Sequence, residues 1–281
     1  MARRRSAWHI LLSPAGALVL ALVALAILAP LVAPRSPNAQ RLDASLGPPS
    51  WAYPLGGDEF GRDILSRVVY GARVSLWVAG LSVGIALLLG TAAGLVAGYR
   101  RDWSDLVLMR IMDALLAVPS LVLALAIAAA LGPGARNAAI AIGLVYIPHF
   151  ARPVRARVLS LADQEFVSAA RALGVSEARV LLRHILPNVL STVAVLAALN
   201  AGFAIMWEAS LSFLGVGVQP PAASWGAMLR TGYPFLEQAP WVAIAPGCAI
   251  LLAVLGFIVL GDRLQQALDP KLNQTISRSV T

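Results

Sequence analysis

Charge is what this sequence has least of. Only 13% of its 281 residues are Asp, Glu, Lys or Arg, about half the share of an ordinary soluble domain. That shortage argues against a water-soluble globule of this length. There is one cysteine, Cys248, which excludes an intrachain disulfide and any cysteine-cluster metal site. The 3 histidines are scattered and show no metal-ligand spacing; His149, beside Pro148, reads as structural. No Gly-x-x-x-x-Gly-Lys-Ser/Thr loop occurs, so the chain has no phosphate-cradling loop of that kind. Alternating apolar and polar runs are also missing, which argues against a β-barrel.

What remains is oil. Hydrophobic residues make up 59% of the chain, and its mean hydropathy is +0.76. A helix crosses a bilayer with roughly 20 apolar residues. Stretches at 14–34, 74–99, 106–131, 135–151, 189–214 and 241–261 qualify, the fourth being short and ending near Pro148. The reading is an all-α integral membrane protein with six transmembrane helices.

The net charge is +8, and its placement is informative because Lys and Arg mark the cytoplasmic side. With the N-terminus inside, so are Arg3, Arg4, Arg5, Arg100, Arg101, Arg110, Arg152, Arg155, Arg157, Arg171, Arg179, Arg183, Arg263, Lys271 and Arg278. Only Arg35, Arg41, Arg62, Arg67, Arg73, Arg136 and Arg230 fall outside. The opposite orientation reverses this bias, so both termini are expected in the cytoplasm, as segments 1–13 and 262–281. Topology then explains the basicity without a nucleic-acid partner. Arginines before an apolar run also fit a signal peptide, but the run is long and lacks a small-x-small cleavage site. An uncleaved first helix is expected.

Residues 35–57 are rich in Pro and Gly and read as an extended external loop. In 58–76, Phe60, Ile64, Val68 and Ala72 recur four apart, with Arg62, Asp63, Ser66, Arg67, Tyr70 and Arg73 opposite. That pattern fits a helix lying at the membrane interface, or a solvated helix packed on the protein's own loops. The domain reading is therefore an external segment 35–73, then a five-helix core 74–261. Gly80, Gly84, Ala86, Gly90 and Gly94 predict close helix approach in lipid. Residues 215–240 read as an ordered lid or turn over the outer mouth.

One stretch breaks the apolar pattern. Residues 164–188, QEFVSAARALGVSEARVLLRHILPN, form a basic island too charged for lipid. Ser160 and Asp163 fit a capping box for a helix from Glu165 to Leu173. Gly174 reads as its left-handed terminator. Ser176 is expected to cap a second helix, 177–186, ended by Pro187. Ala169, Ala170 and Leu173 form a small apolar patch for close docking, ringed by Arg171, Arg179 and Arg183. A plain loop does not need two helices and two caps. A DNA-reading helix-turn-helix lacks a third packing helix and is pinned between membrane segments. A coupling element for a soluble partner fits best.

The island resembles the EAA loop of permease subunits of bacterial ABC importers, whose pattern is Glu-Ala-Ala, three residues, Gly, nine residues, Ile-x-Leu-Pro. Ala169, Ala170, Gly174, Leu186 and Pro187 match. Ser168 stands where the pattern has Glu, and His184 where it has Ile. Glu165 lies one turn earlier on about the same face. YPLGGDEFGRDILSRVVYGARVSL (53–76), RHILPN (183–188), EASLSFLGVGVQPP (208–221), SWGAML (224–229) and GDRLQQALDP (261–270) are similar to the C-type permease subunit of dipeptide and oligopeptide importers. Nickel and glutathione systems share that subunit type.

The resemblance implies a type I ABC importer permease fold in the bacterial cytoplasmic membrane, with a coupling loop at 152–188. It implies an ATPase-coupling site of Glu165, Ser168, Ala169, Ala170, Arg171, Gly174, Arg183, His184 and Pro187. It also implies a sibling permease, two ATP-binding subunits that hold ATP and Mg, and an extracytoplasmic solute-binding protein. No cofactor is expected in this chain, and no catalysis. Asp113 and Glu208 lie within apolar runs, where a charge costs roughly 2.5–3.5 kcal/mol on insertion scales. Each is expected to face the bundle interior or a water-filled translocation path, with an interhelical hydrogen bond as the structural alternative for Glu208. A secondary transporter or channel would carry more intramembrane polar residues. An intramembrane enzyme would need a recognisable nucleophile and base.

Overall fold

Proline and glycine decide where the helices of this chain break and where they touch. The computed structural model describes residues 13–268. Arg3, Arg4, Arg5, Lys271 and Arg278, and with them the placement of the termini, lie outside the described residues. Helix α1 (Pro14–Ile27) starts at Ser13, whose hydroxyl accepts the Gly16 N–H at 3.2 Å. Pro14 sits in the first turn, where no amide hydrogen is needed. The expected single helix over 14–34 is interrupted at Leu28. A short α2 (Ala29–Val32) follows, with Pro30 in its first turn.

Helix α3 (Ile64–Arg100) has 37 residues, so it is about 55 Å long, well beyond a hydrocarbon core of about 30 Å. Its N-cap is Asp63, which accepts the Ser66 N–H at 2.9 Å. The separate interfacial helix expected over 58–76 does not exist. Residues 58–63 form a turn, and 64–76 are the first turns of α3. On its charged face Arg62 and Arg67 are buried, while Arg73 remains exposed. Asp58 accepts from Arg62 Nε at 2.6 Å and lies 3.5 Å from Arg67 Nε. Arg67 also donates to the Pro37 carbonyl at 3.0 Å. Buried charges need partners, and here they find them in the preceding loop, which they pin to α3. Burial, with Asp58 adding to it, holds the Glu59 carboxyl above its ordinary range.

The third apolar run is two helices. Helices α4 (Trp103–Ala117) and α5 (Ser120–Leu131) meet at 93°. Pro119 supplies no N–H and holds Val118 extended at φ −96°, ψ 136°, so the helix cannot pass through. Helix α6 (Ala135–Ala162) shows the opposite outcome. The sequence suggested an end near residue 151, yet 28 residues run on through Pro148 and Pro153. Packing against α3 outweighs the two lost amide bonds. After the island come α9 (Leu186–Phe213), α10 (Trp225–Gly232) and α11 (Trp241–Leu268). The six apolar runs thus correspond to α1, α3, the α4–α5 pair, α6, α9 and α11. Among the described residues, three helices are long and apolar enough to cross a membrane: Ile64–Arg100, Glu177–Phe213 and Trp241–Leu268. The bent pair would make a fourth.

The most extensive contact is between α3 and α6. A Cβ on Gly90 would lie 2.6 Å from the Ile147 oxygen, and one on Gly94 2.5 Å from the Ala151 oxygen. One on Gly98 would lie 2.8 Å from the Arg155 oxygen. The stripe four residues apart lets the backbones meet, as small residues do in lipid. Gly80 and Gly84, expected in the same role, face open space and pack nothing within the chain. Gly94→Val should therefore lower thermal stability in detergent, overpacking costing about 1–3 kcal/mol. Gly84→Val, with room for its side chain, should melt like the wild type; equal melting of the two variants would contradict the stripe.

Candidate functional site

The island hangs from the end of α6. Ser160 lies inside that helix, and the capping box with Asp163 does not form. Gln164 is the N-cap of α7 (Glu165–Ala172), while Asp163 pairs with Arg101 at 2.8 Å. Arg101, in the left-handed region at φ 55°, also donates to the Leu159 carbonyl at 3.0 Å. Its hydrogen bond holds the Asp163 carboxyl below its ordinary range.

Helix α7 ends as the sequence predicts. Gly174 has φ +77°, a conformation that costs other L-residues about 1–2 kcal/mol. The Val175 N–H bonds the Ala170 carbonyl at 3.1 Å, and the Gly174 N–H bonds the Arg171 carbonyl at 2.9 Å. These two bonds are a Schellman terminator. Ser176 precedes α8 (Glu177–Val180) in extended conformation, without a side-chain cap bond.

Pro187 does not end this second helix. Leu181–Ile185 form a π-turn that leads directly into α9. Pro187 lacks an N–H and crowds the carbonyl four residues back, and a local π-turn relieves such a misfit. Glu177–Phe213 is consequently one 37-residue rod, so a displacement of α8 is a displacement of α9.

The island has a fixed inner face. Val167, Ala170, Val180 and Ile185 are buried with Leu95, Val154, Val158 and Leu161. This corrects the expected docking patch, because Ala170 is only 7% exposed and packs on the protein's own helices. The face left open carries Glu165, Phe166, Ser168, Ala169 and Leu173, with Arg179, Leu182 and Arg183 beyond the turn. Leu173 is 83% exposed and Leu182 60%. Glu165 and Ser168 both point outward, three residues apart. His184 is half-buried in the π-turn, and Pro187 is exposed at its far end.

Residues without a sequence signal complete the arrangement. Tyr99, at the end of α3, hydrogen-bonds Glu177. The Arg171 guanidinium sits over its ring, 5.1 Å from the centroid. A cleft of about 690 Å³ opens beside them, lined by Val96, Arg100, Asp102 and Leu181 among others. Nearby, Asp105 of α4 holds Arg155 of α6 through two bonds of 2.6 Å.

The two intramembrane acids do not share a path. Asp113 pairs with Arg152 at 2.5 Å on a half-exposed face between α4 and α6. Glu208 is 0% exposed. It accepts from Ser75 Oγ of α3 at 2.8 Å and from Ser212 Oγ one turn on at 2.7 Å. The Ser212 hydroxyl accepts the Val218 N–H at 3.0 Å, and the Trp225 indole donates to the Val68 carbonyl at 2.9 Å. Glu208 therefore ties α9, α3 and the 215–226 segment together. Of the two readings, pathway lining or an interhelical hydrogen bond, its burial and its bond to Ser75 match the second. The 215–240 segment is ordered, and its helix α10 packs against α3, α9 and α11.

A family model described as "Binding-protein-dependent transport system inner membrane component" matches residues 90–274. The chain belongs to that family. This inner membrane component is 46% identical to a dipeptide transport system permease protein of Alkalihalophilus pseudofirmus, over 91% of the chain and 84% of the relative. It is 44% identical to a di/tripeptide transport system permease protein of Pseudomonas aeruginosa, over 90% and 86%. A glutathione transport system permease protein of Pectobacterium atrosepticum is also 44% identical, over 92% and 86%. Among solved structures, an inward-facing form of the MetNI methionine ABC transporter matches with a TM-score of 0.59. That match is 17% identical and covers 72% of this chain and 97% of the other, so it shows a shared type I importer permease fold.

Glu208→Leu leaves two buried hydroxyls without their acceptor, at about 1–3 kcal/mol each. The variant should show a clearly lower melting temperature in detergent, and Glu208→Gln, which keeps one acceptor oxygen, a smaller drop. Wild-type melting of Glu208→Leu would refute the structural role.

Proposed function

We propose that this inner membrane component is a permease subunit of an ABC importer for di- and oligopeptides. In this reading it pairs with a sibling permease and receives solute from an extracytoplasmic binding protein. Two ATP-binding subunits hold ATP and Mg, and the chain itself catalyses nothing. The observation that carries the reading is the island: a two-helix unit with a buried inner face, an exposed outer face and a helix rod continuing from it. Relatives named for dipeptide and di/tripeptide transport, alike along nine-tenths of the chain, support the peptide class. The glutathione relative favours a second reading of the same class, a modified tripeptide as cargo.

The proposed mechanism is alternating access. Closure of the ATP-binding dimer displaces the island, and the displacement passes along the Glu177–Phe213 rod into the membrane. Glu165, Ser168, Ala169, Arg183 and the exposed Leu173 and Leu182 form the docking face. Arg171, Gly174, His184 and Pro187 set its shape. Asp113 acts here as half of an ion pair joining α4 and α6.

The test is uptake of labelled dipeptide into proteoliposomes containing the whole complex. Uptake should require ATP, the binding protein and both permeases; ATP-independent uptake would overturn the reading. Gly174→Asp should leave the protein in the membrane and cut uptake at least about tenfold while ATP hydrolysis continues, a loss within the range of coupling energies. The side chain has room and Asp, like Asn, visits that backbone, so the effect comes from a negative charge at a helix C-terminus. Gly174→Asn, which tolerates that backbone, should retain most uptake.

A further inference from the structure

The Gly174 turn is held by two backbone bonds, yet it must keep α7 and α8 at a fixed angle if the island is to act as one body. One side chain from elsewhere touches both arms. Tyr99 of α3 hydrogen-bonds Glu177, the first residue of α8. Its ring carries Arg171, in the last turn of α7. Arg171 and Glu177 lie 3.7 Å apart across the turn, but Glu177 is 67% exposed, and exposed pairs hold little on their own. The Tyr99 ring, buried with Val167, Ala170 and Val180, supplies the rigid surface that pair lacks.

We infer that Tyr99 is a positioning residue that locks the two island helices together and couples them to α3. The inference rests on the importer reading above. The island has a covalent output, from α8 through the π-turn into α9. Tyr99 gives it a second output into a helix of a different part of the bundle. The neighbouring Arg101–Asp163 pair secures α6 to the same end of α3, but it does not reach α7 or α8. Removing the Tyr99 contact would leave α3 joined to the island only through Leu95 packing and the α3–α6 contact.

The test uses the full complex in proteoliposomes and measures ATP hydrolysed per peptide imported. Tyr99→Leu, which removes both the hydroxyl and the ring, should raise that ratio at least about fivefold, the lower edge of typical coupling between sites. Tyr99→Phe keeps the ring under Arg171 and should raise it less. Glu177→Gln, which still accepts from the phenol, should stay near wild type. Spin labels at Ala172 and Ala178 give a readout independent of transport: their distance distribution should broaden in Tyr99→Leu. A wild-type ratio and a wild-type distribution in Tyr99→Leu would overturn the positioning role while leaving the importer reading intact. Absence of ATP-driven uptake by the wild-type complex would overturn both.

Discussion

The structure depends on how closely α3 and α6 approach. Backbone meets backbone at Gly90, Gly94 and Gly98, and each added carbon there would force the helices apart. The contact fixes more than a distance. It sets the end of α6 beside the end of α3, where Arg101 can reach Asp163 and Tyr99 can reach the turn that follows. Without it the island would lack the wall formed by Leu95, Val154 and Val158. Dispersion and close fit, rather than water exclusion, drive such association in lipid, so a few glycines carry weight that a soluble core would spread over many large side chains.

Polar chemistry is used sparingly and at the ends. At one end, Arg67 pins the 35–57 loop to the start of α3 through the Pro37 carbonyl, beside the pairs that Asp58 and Glu59 make with Arg62. Deeper, Glu208 draws α9, α3 and the 215–226 segment together through serine hydroxyls. At the other end, arginine–aspartate pairs join α3, α4 and α6 to the island's root. The Arg62 pairs are local and buried, whereas Arg101–Asp163, Arg152–Asp113 and Arg155–Asp105 join distant segments. The pairs fall where helices must stay in register, and the apolar lengths between them are left to pack by shape.

The sequence revealed the helices well and their breaks poorly. Hydropathy located every apolar run, and Gly174 announced its own turn because only a few residues accept φ near +77°. Proline was the ambiguous signal. Pro119 bends its helix through 93°, whereas Pro148 and Pro153 are absorbed by α6, and Pro187 by a π-turn. The difference is tertiary: Pro119 follows a segment with few buried neighbours, while α6 is clamped along α3. The polar face of 58–76 misled for the same reason, since Arg67 is satisfied by a loop earlier in the chain. Tyr99 and Glu177, 78 residues apart, had no local pattern to betray them.

The island's exposed face shows how a departure from the family pattern is accommodated. Ser168 occupies the position where a glutamate is the rule, yet the outward face of α7 keeps a carboxylate at Glu165, in the helix's first turn. There it compensates the positive end of the helix dipole, which stabilises α7, and it remains exposed. A charge at 168 would sit one turn further along, nearer Arg171, where it would compete with Glu177 for that guanidinium. Arg171 is already committed across the turn, over Tyr99. Serine at 168 thus leaves the Arg171–Tyr99–Glu177 arrangement undisturbed, and the exposed carboxylate of α7 stands at Glu165, further from the charges that hold the island's shape.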